Sequence, residues 1–212
     1  MKLYYAPGAC SIGIHVLLEE IGKPYQLEAV NFRESAQYQP PYTGVNPKSK
    51  VPTLERDDGS ILTEFPVIAR WLALKNPQAD LIPKDEEADI RAMEVMEYVV
   101  GTIHSQGFTR LFRTERFAPS PSDHEKVKAQ GREQIENGFA IVDKALEGKD
   151  YLGGNNLSAA DAALFYVEYW GAKRLGMQLP KNCAAHFERM MARPAVRRTI
   201  EIESAIGYAL PQ

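Results

Sequence analysis

The sequence predicts an α/β unit followed by an all-helical unit, and three observations predict it. Up to Asn76, short runs of strand composition are interleaved with segments in which apolar residues recur at helical period. Residues 77–86 then carry Pro77, Pro83 and four charges, which is linker composition. Beyond Glu86 only helical periods remain. The expected organisation is an α/β domain over 1–76, a linker over 77–86 and a helical domain over 87–212.

Leu3, Tyr4 and Tyr5 have strand propensity and run into Pro7-Gly8, which ends a first strand over residues 2–5. From Ser11 to Ile21 the residues Ile14, Leu17, Leu18 and Ile21 fall at i, i+3, i+4 and i+7. Ser11 reads as the N-cap of this helix and Gly22 as its terminator. Tyr25 to Phe32 reads as a second strand, parallel to the first because a helix separates them. Residues 33–50 are polar and proline-rich, so irregular structure with one short helical turn is expected. Val51–Glu55 and Ser60–Leu62 form a hairpin across Asp57-Asp58-Gly59, with Pro52 a candidate for a cis bond. A helix starts near Thr63 with Phe65, Ile68, Ala69 and Leu72 on one face, completing β-α-β-loop-β-β-α around a mixed four-stranded sheet.

In the second unit Met96, Val99, Val100 and Ile103 predict a long helix over 87–116, and Ile135, Phe139, Val142 and Leu146 a second over 123–148. Ser158 followed by Asp161 at the third helical position is an N-terminal capping signature. The helix it opens, through Trp170, is apolar almost all round and is expected to be the buried centre of its unit. Shorter helices over 183–192 and 194–206, separated by Arg193-Pro194, finish the chain.

Composition narrows the function. Twenty-five basic against 28 acidic residues give a net charge of −3, with no basic excess to neutralise phosphates, so neither nucleic acid nor an anionic membrane is expected as a partner. No apolar run approaches the ~18 residues of a membrane span, and the N-terminus begins directly with a strand, so a cytoplasmic location is expected. The two cysteines, Cys10 and Cys183, are expected to be free thiols. Cys10 lies at the start of a helix, where unpaired N–H groups favour an anion and its thiol pKa is expected to fall; an inert buried cysteine is the alternative. Cys183 and His15 read as packing residues. Glu97, His104 and Leu111 follow at seven-residue spacing, so Glu97 either orients His104 or is solvated.

Gly8-Ala9-Cys10-Ser11 after a short strand, His15 in the first helix, Asn46-Pro47-Lys48 before Val51-Pro52, the Ser158–Asp161 box and Arg193-Pro194-Ala195-Val196 occur in one order along the chain. In that arrangement the whole chain resembles the cytosolic glutathione S-transferases, most of all the bacterial beta-like, cysteine-containing group. The resemblance implies a thioredoxin-like N-terminal domain, an all-helical C-terminal domain, a homodimer, glutathione as co-substrate and no metal. It implies catalytic roles for Cys10, Ser11 and His104, and a glutathione site made of Tyr5, Ala9, Cys10, Phe32, Val51, Pro52, Glu64 and Phe65. Val51 would supply main-chain hydrogen bonds, and Glu64 with the N–H of residue 65 would hold the γ-glutamyl end. The pattern usually has serine or another small residue at position 65, and this chain has Phe65 followed by Pro66. The family's histidine is also followed by a Leu-Phe pair closer than Leu111-Phe112 are to His104; one additional residue turns a regular helix by about 100°.

The implied activity is transfer of glutathione to small hydrophobic electrophiles, held by Tyr5, Phe108, Phe112, Tyr166 and Trp170 in a pocket drawing on both domains. Two alternatives stand beside it. One is a glutathione-dependent disulfide or peroxide reductase with Cys10 as nucleophile; the other is a non-catalytic ligand- or protein-binding member of the fold, suggested by Phe65.

Overall fold

The computed structural model describes residues 1–206, which divide into two compact units. Among these, the first comprises residues 1–82 together with 189–206, and the second comprises 83–188; the last six residues of the expected helical domain over 87–212 lie outside the described residues.

The first unit is built on a four-stranded sheet of order β2-β1-β3-β4, with β1 (Lys2–Tyr5) parallel to β2 (Gln26–Ala29) and antiparallel to β3 (Thr53–Glu55), which pairs with β4 (Ile61–Thr63). The second strand is shorter than its pattern suggests, because Phe32 already belongs to a 3₁₀ turn (Phe32–Glu34). A further 3₁₀ turn (Ala36–Tyr38) and the short helix α2 (Tyr42–Val45) follow, so the stretch 33–50 holds more helical turns than the one expected. The bonds Pro40–Pro41 and Val51–Pro52 are cis.

Helix α1 (Ser11–Ile21) ends in a left-handed Gly22 whose N–H caps the Leu18 carbonyl. Its N-cap is Cys10, and Ser11 is already helical. The serine reads as a cap in sequence, but its hydroxyl turns back to the strand end, lying 3.2 Å from Ala6 N and 3.3 Å from Ala6 O. α3 (Phe65–Lys75) begins with Pro66 in its first turn, where a missing N–H costs nothing. Leu3, Ile14, Leu17, Leu54, Ile68 and Leu72 are fully buried in this unit.

The second unit contains α4 (Glu86–Tyr98), α5 (Thr109–Phe112), α6 (His124–Ala145) and α7 (Ala159–Tyr169). Helix α8 (Lys181–Ala192) spans the division between the units, and α9 (Pro194–Ser204) packs against α1 in the first. α7 is buried from Ala159 to Glu168, the central position its composition predicts.

Between α4 and α5 the chain is π-helical over Val99–Phe108, and a second π segment, Trp170–Arg174, follows α7. Side chains follow the wider turn: Ser105 Oγ donates to Val100 O at 2.7 Å and Thr109 Oγ1 to His104 O at 3.1 Å, each five residues back. The first π segment lies against α6 where both carry glycine. A Cβ on Gly131 would come within 2.8 Å of Arg110 Cβ and 3.0 Å of Gly107 O. Gly131→Ala therefore has to push α6 away from the neighbouring backbone, and even with the ~1 kcal/mol helix propensity it gains, a net loss of about 1–3 kcal/mol is expected in urea unfolding. An unchanged midpoint would contradict this packing.

Candidate active site

In the first unit the site grows out of the turn after β1. Ala9 N donates to Ala6 O (2.9 Å), and Ser11 Oγ pins the other side of the same residue, so the turn is closed by its own short-range bonds. Cys10 is thereby placed at the helix start with its thiol donating to the Val51 carbonyl at 3.3 Å, immediately before the cis Pro52.

The expected fall in the Cys10 pKa is not what this environment produces. Cys10 keeps part of its surface accessible, yet the protein packed around its sulfur disfavours the thiolate and pushes the thiol up to about 12, against the smaller opposing pulls of the Cys10 and Ser11 N–H groups and of Lys50. A helix start favours an anion only while the sulfur keeps solvent or a donor, and here the thiol spends its proton on a carbonyl. Ser11 also departs from expectation: it is 0% exposed and its hydroxyl is committed to Ala6, so it presents nothing to a ligand.

The loop carrying Val51 is held from beneath. Asn46 Nδ2 donates to Lys50 O (2.9 Å) and to Thr53 Oγ1 (2.8 Å), Tyr42 Oη bonds the same two groups, and Asn46 Oδ1 accepts from Lys48 N at 3.0 Å. Under it lies an apolar cluster of Tyr4, Ala6, Ala9, Val30, Tyr42 and Val51, with Phe32 packed at its edge. Glu64, the N-cap of α3, has φ +70°, a conformation that only a well-braced loop holds in a non-glycine residue. Lys48 Nζ reaches it, 2.7 Å from Glu64 Oε1 and 2.9 Å from Thr63 Oγ1.

α9 braces the turn from the other side. Glu203, 4% exposed, accepts from Gly8 N at 2.7 Å and lies 2.9 Å from His15 Nδ1. Burial raises the Glu203 pKa, and the bonds from His15 and Gly8 work against that rise. His15 is fully buried and its Nε2 meets Tyr25 Oη at 2.9 Å, so it packs as expected while also linking α9 to the Cys10 turn.

The second unit brings four of the expected acceptor residues and His104 into one aromatic cluster. His104 Nδ1 is 3.1 Å from Tyr166 Oη, and its ring meets Trp170 edge-on at 4.9 Å. Phe108 contacts both Phe112 (5.7 Å) and Trp170 (5.4 Å), and the Arg174 guanidinium lies 4.4 Å from the Phe112 ring centre. Tyr166, Phe108 and Trp170 are buried, while His104 and Phe112 keep some accessible surface. Both π segments lie in this cluster, and the wider π turn is where a helix takes up an additional residue. Glu97 is exposed, in keeping with its solvated reading.

The model of the glutathione S-transferase N-terminal domain matches residues 8–75, and that of the glutathione S-transferase C-terminal domain matches residues 88–194. The chain belongs to the glutathione S-transferase family. It is 35% identical over 206 residues to glutathione S-transferase GstA of Escherichia coli O157:H7, covering 96% of this chain and 98% of that one. A solved glutathione transferase homologue from Sulfitobacter, with bound glutathione, is 30% identical with a TM-score of 0.88, covering 95% of this chain and 97% of that one. A bacterial beta class enzyme from Sphingomonas chungbukensis is 30% identical with a TM-score of 0.82, covering 97% and 100%. The thioredoxin-like sheet followed by helices is thus the family's fold.

Of the residues expected at a glutathione site, Cys10, Val51 and Pro52 come together directly. Glu64 follows on the facing strand end, joined to the loop through Lys48. Tyr5 is 1% exposed and packs on the His15 ring at 5.8 Å, so it lends the site support rather than surface. Phe65 is 4% exposed, as the helix-core reading of its spacing requires. Two residues carry no sequence signal of their own at the site. Lys48 is visible only within Asn-Pro-Lys, and Glu203 has no local signal, being 195 residues from the Gly8 N–H it accepts from.

Proposed function

We propose that this chain is a glutathione transferase in which Cys10 acts as a hydrogen-bond donor to the bound glutathione thiolate rather than as the nucleophile. The observation that carries this reading is the Cys10 thiol held against the Val51 carbonyl at 3.3 Å, with burial keeping it protonated. A protonated thiol donates and does not attack; with one proton to give, Cys10 turns from the Val51 carbonyl to the glutathione sulfur when the ligand binds, leaving that carbonyl to accept from the peptide. In the reaction glutathione gives its thiol proton to solvent, the thiolate sulfur bonds to the electrophilic carbon, and the leaving group departs with the electron pair. Glu64 and the N–H of residue 65 take the γ-glutamyl end, favoured by the positive end of α3.

For the apolar electrophile we assign the aromatic cluster of the second unit, where His104 and Phe112 offer accessible edges over buried Phe108, Tyr166 and Trp170. A homodimer is supported by apolar residues left exposed on the first unit, Ile61, Val67 and Leu74, the last two a helical repeat apart on α3. A cytoplasmic site of action accords with the lack, among the described residues, of any helix long and apolar enough to cross a membrane.

Cys10→Ala tests the chemistry. Loss of one donor to a charged sulfur is worth ~1.5–3 kcal/mol, so aryl-halide conjugation is expected to fall about 10- to 100-fold and to remain measurable, with the glutathione thiol pKa in the complex rising. Abolished activity together with a trapped mixed disulfide in the wild type would assign Cys10 as nucleophile instead.

A further inference from the structure

The ion pair beside the proposed γ-glutamyl position is not used by the chemistry assigned to Cys10. Lys48 Nζ bonds Glu64 Oε1 (2.7 Å) and Thr63 Oγ1 (2.9 Å), with both charged side chains about half exposed at 52% and 53%. Exposed pairs of this kind contribute little to stability, typically below ~1 kcal/mol, so folding gives no strong reason for the contact. Its placement is nonetheless built. The Lys48 main chain is tied by Asn46, whose own amide is bonded to Lys50 O and Thr53 Oγ1, and Asn46 is 1% exposed. A fixed loop therefore aims a cation at the residue that opens α3.

The γ-glutamyl end of glutathione is a zwitterion, an ammonium and a carboxylate on one carbon. Glu64 complements the ammonium. At position 65, where the family pattern has a small or hydroxyl side chain, this chain has a buried phenyl ring with no donor. That leaves the carboxylate the main-chain N–H of residue 65 but no side-chain donor there, and Lys48, which already touches Glu64, is the cation within reach of it.

We infer that Lys48 is a specificity-determining residue that binds the α-carboxylate of the γ-glutamyl group, exchanging its bond to Glu64 for one to the ligand. The inference rests on the proposed γ-glutamyl position at Glu64. In the free protein Lys48 and Glu64 neutralise each other; on binding, the zwitterion enters between them, its ammonium on Glu64 and its carboxylate on Lys48. Two charges are re-paired and none is left desolvated alone, which selects an intact α-amino-acid head group over one lacking either charge.

The test is calorimetric titration of wild type, Lys48→Gln and Lys48→Arg with glutathione and with 4-aminobutyryl-cysteinyl-glycine, which lacks only the α-carboxylate. Lys48 is exposed, so the variants are expected to fold, and far-UV circular dichroism verifies it. Lys48→Gln is expected to weaken glutathione about tenfold or more while leaving the decarboxylated peptide unchanged or tighter, since Glu64 is then freed. Lys48→Arg is expected to restore most of the preference. Equal loss for both peptides, or no loss for either, would overturn the inference and leave the Glu64 assignment standing. Failure of the wild type to bind either peptide at millimolar concentration would overturn the glutathione position itself, and the role of Lys48 with it.

Discussion

Asp161→Ala is expected to destabilise the helical unit by about 3–5 kcal/mol, the range for removing one partner from a buried charged pair. The carboxylate is 0% exposed and works in four directions. Oδ2 accepts from Ser158 N and Ser158 Oγ, both at 2.7 Å; Oδ1 accepts from Leu152 N at 2.7 Å and faces His186 Nε2 at 3.2 Å. One side chain therefore starts α7, closes the turn before it and pairs with α8. Alanine leaves two buried N–H groups, the Ser158 hydroxyl and one imidazole nitrogen without this acceptor, each of the amides costing about 1–3 kcal/mol before relaxation. Asp161→Asn keeps the shape and one carbonyl oxygen and is expected to cost about half as much. Ser158→Ala removes the hydroxyl's bond to Asp161 Oδ2 and its cap of the Asp161 N–H but leaves the carboxylate in place, and is expected to cost about 1–2 kcal/mol. Urea unfolding followed by circular dichroism orders the three. Equal losses across the series would mean that the cap alone, and not the junction with His186, sets the stability.

Asp161 also shows where reading the sequence stops. Its relation to Ser158 is local, three residues along a helix start, and so is legible as a motif. Its relation to His186, 25 residues on, is not, because nothing in the spacing of α8 marks one histidine as the partner of two acids. The same division holds throughout. α1, α3 and the sheet order follow from apolar period and turn chemistry, which are local. The π segment over Val99–Phe108 does not, because the widening of the turn goes with what packs on the helix, here α6 at Gly131 and Gly138, and not with local composition. At the candidate site the Cys10 turn and Val51-Pro52 are legible as motifs. The protonation of Cys10 is not, because it depends on how much protein surrounds the sulfur. Ser11 misleads for a related reason: a serine at a helix start is a cap only if its neighbour is not one, and here Cys10 holds that position.

The stability of the second unit is expected to fall as pH rises from about 4.5 to 10, and the cause is the buried cluster around His186. Nδ1 lies 2.8 Å from Glu168 Oε2 and Nε2 lies 3.2 Å from Asp161 Oδ1, so both imidazole nitrogens face carboxylate oxygens with no exposure to water. Two acids around one ring favour the imidazolium and raise His186 to about 10 despite burial, which alone would lower it. Glu168 is also raised, to about 7, chiefly by burial, and its Oε1 finds no hydrogen-bond partner among the described residues. The sign is the same for both. A group whose pKa is higher folded than unfolded stabilises fully below the unfolded value and loses that contribution as pH climbs through the folded one. For Glu168 the window runs from about 4.5 to 7, and for His186 from about 6.5 to 10. Together the loss is on the order of several kcal/mol, one pKa unit being about 1.4 kcal/mol. Cys183 and Asp143 lie on the flank of this cluster, and burial first, then Glu168 and Asp143, push the Cys183 thiol upward, so that thiol stays neutral across the window. Glu168→Gln imitates the protonated acid and is expected to flatten the profile between pH 5 and 7 without loss of stability at pH 8. His186→Gln is expected to remove the alkaline slope while lowering stability at pH 6, where the imidazolium contributes most. Thermal unfolding of the three proteins from pH 5 to 10 measures both slopes, and a wild-type profile that is flat or rises toward pH 10 would show that the cluster does not hold its protons in the folded state.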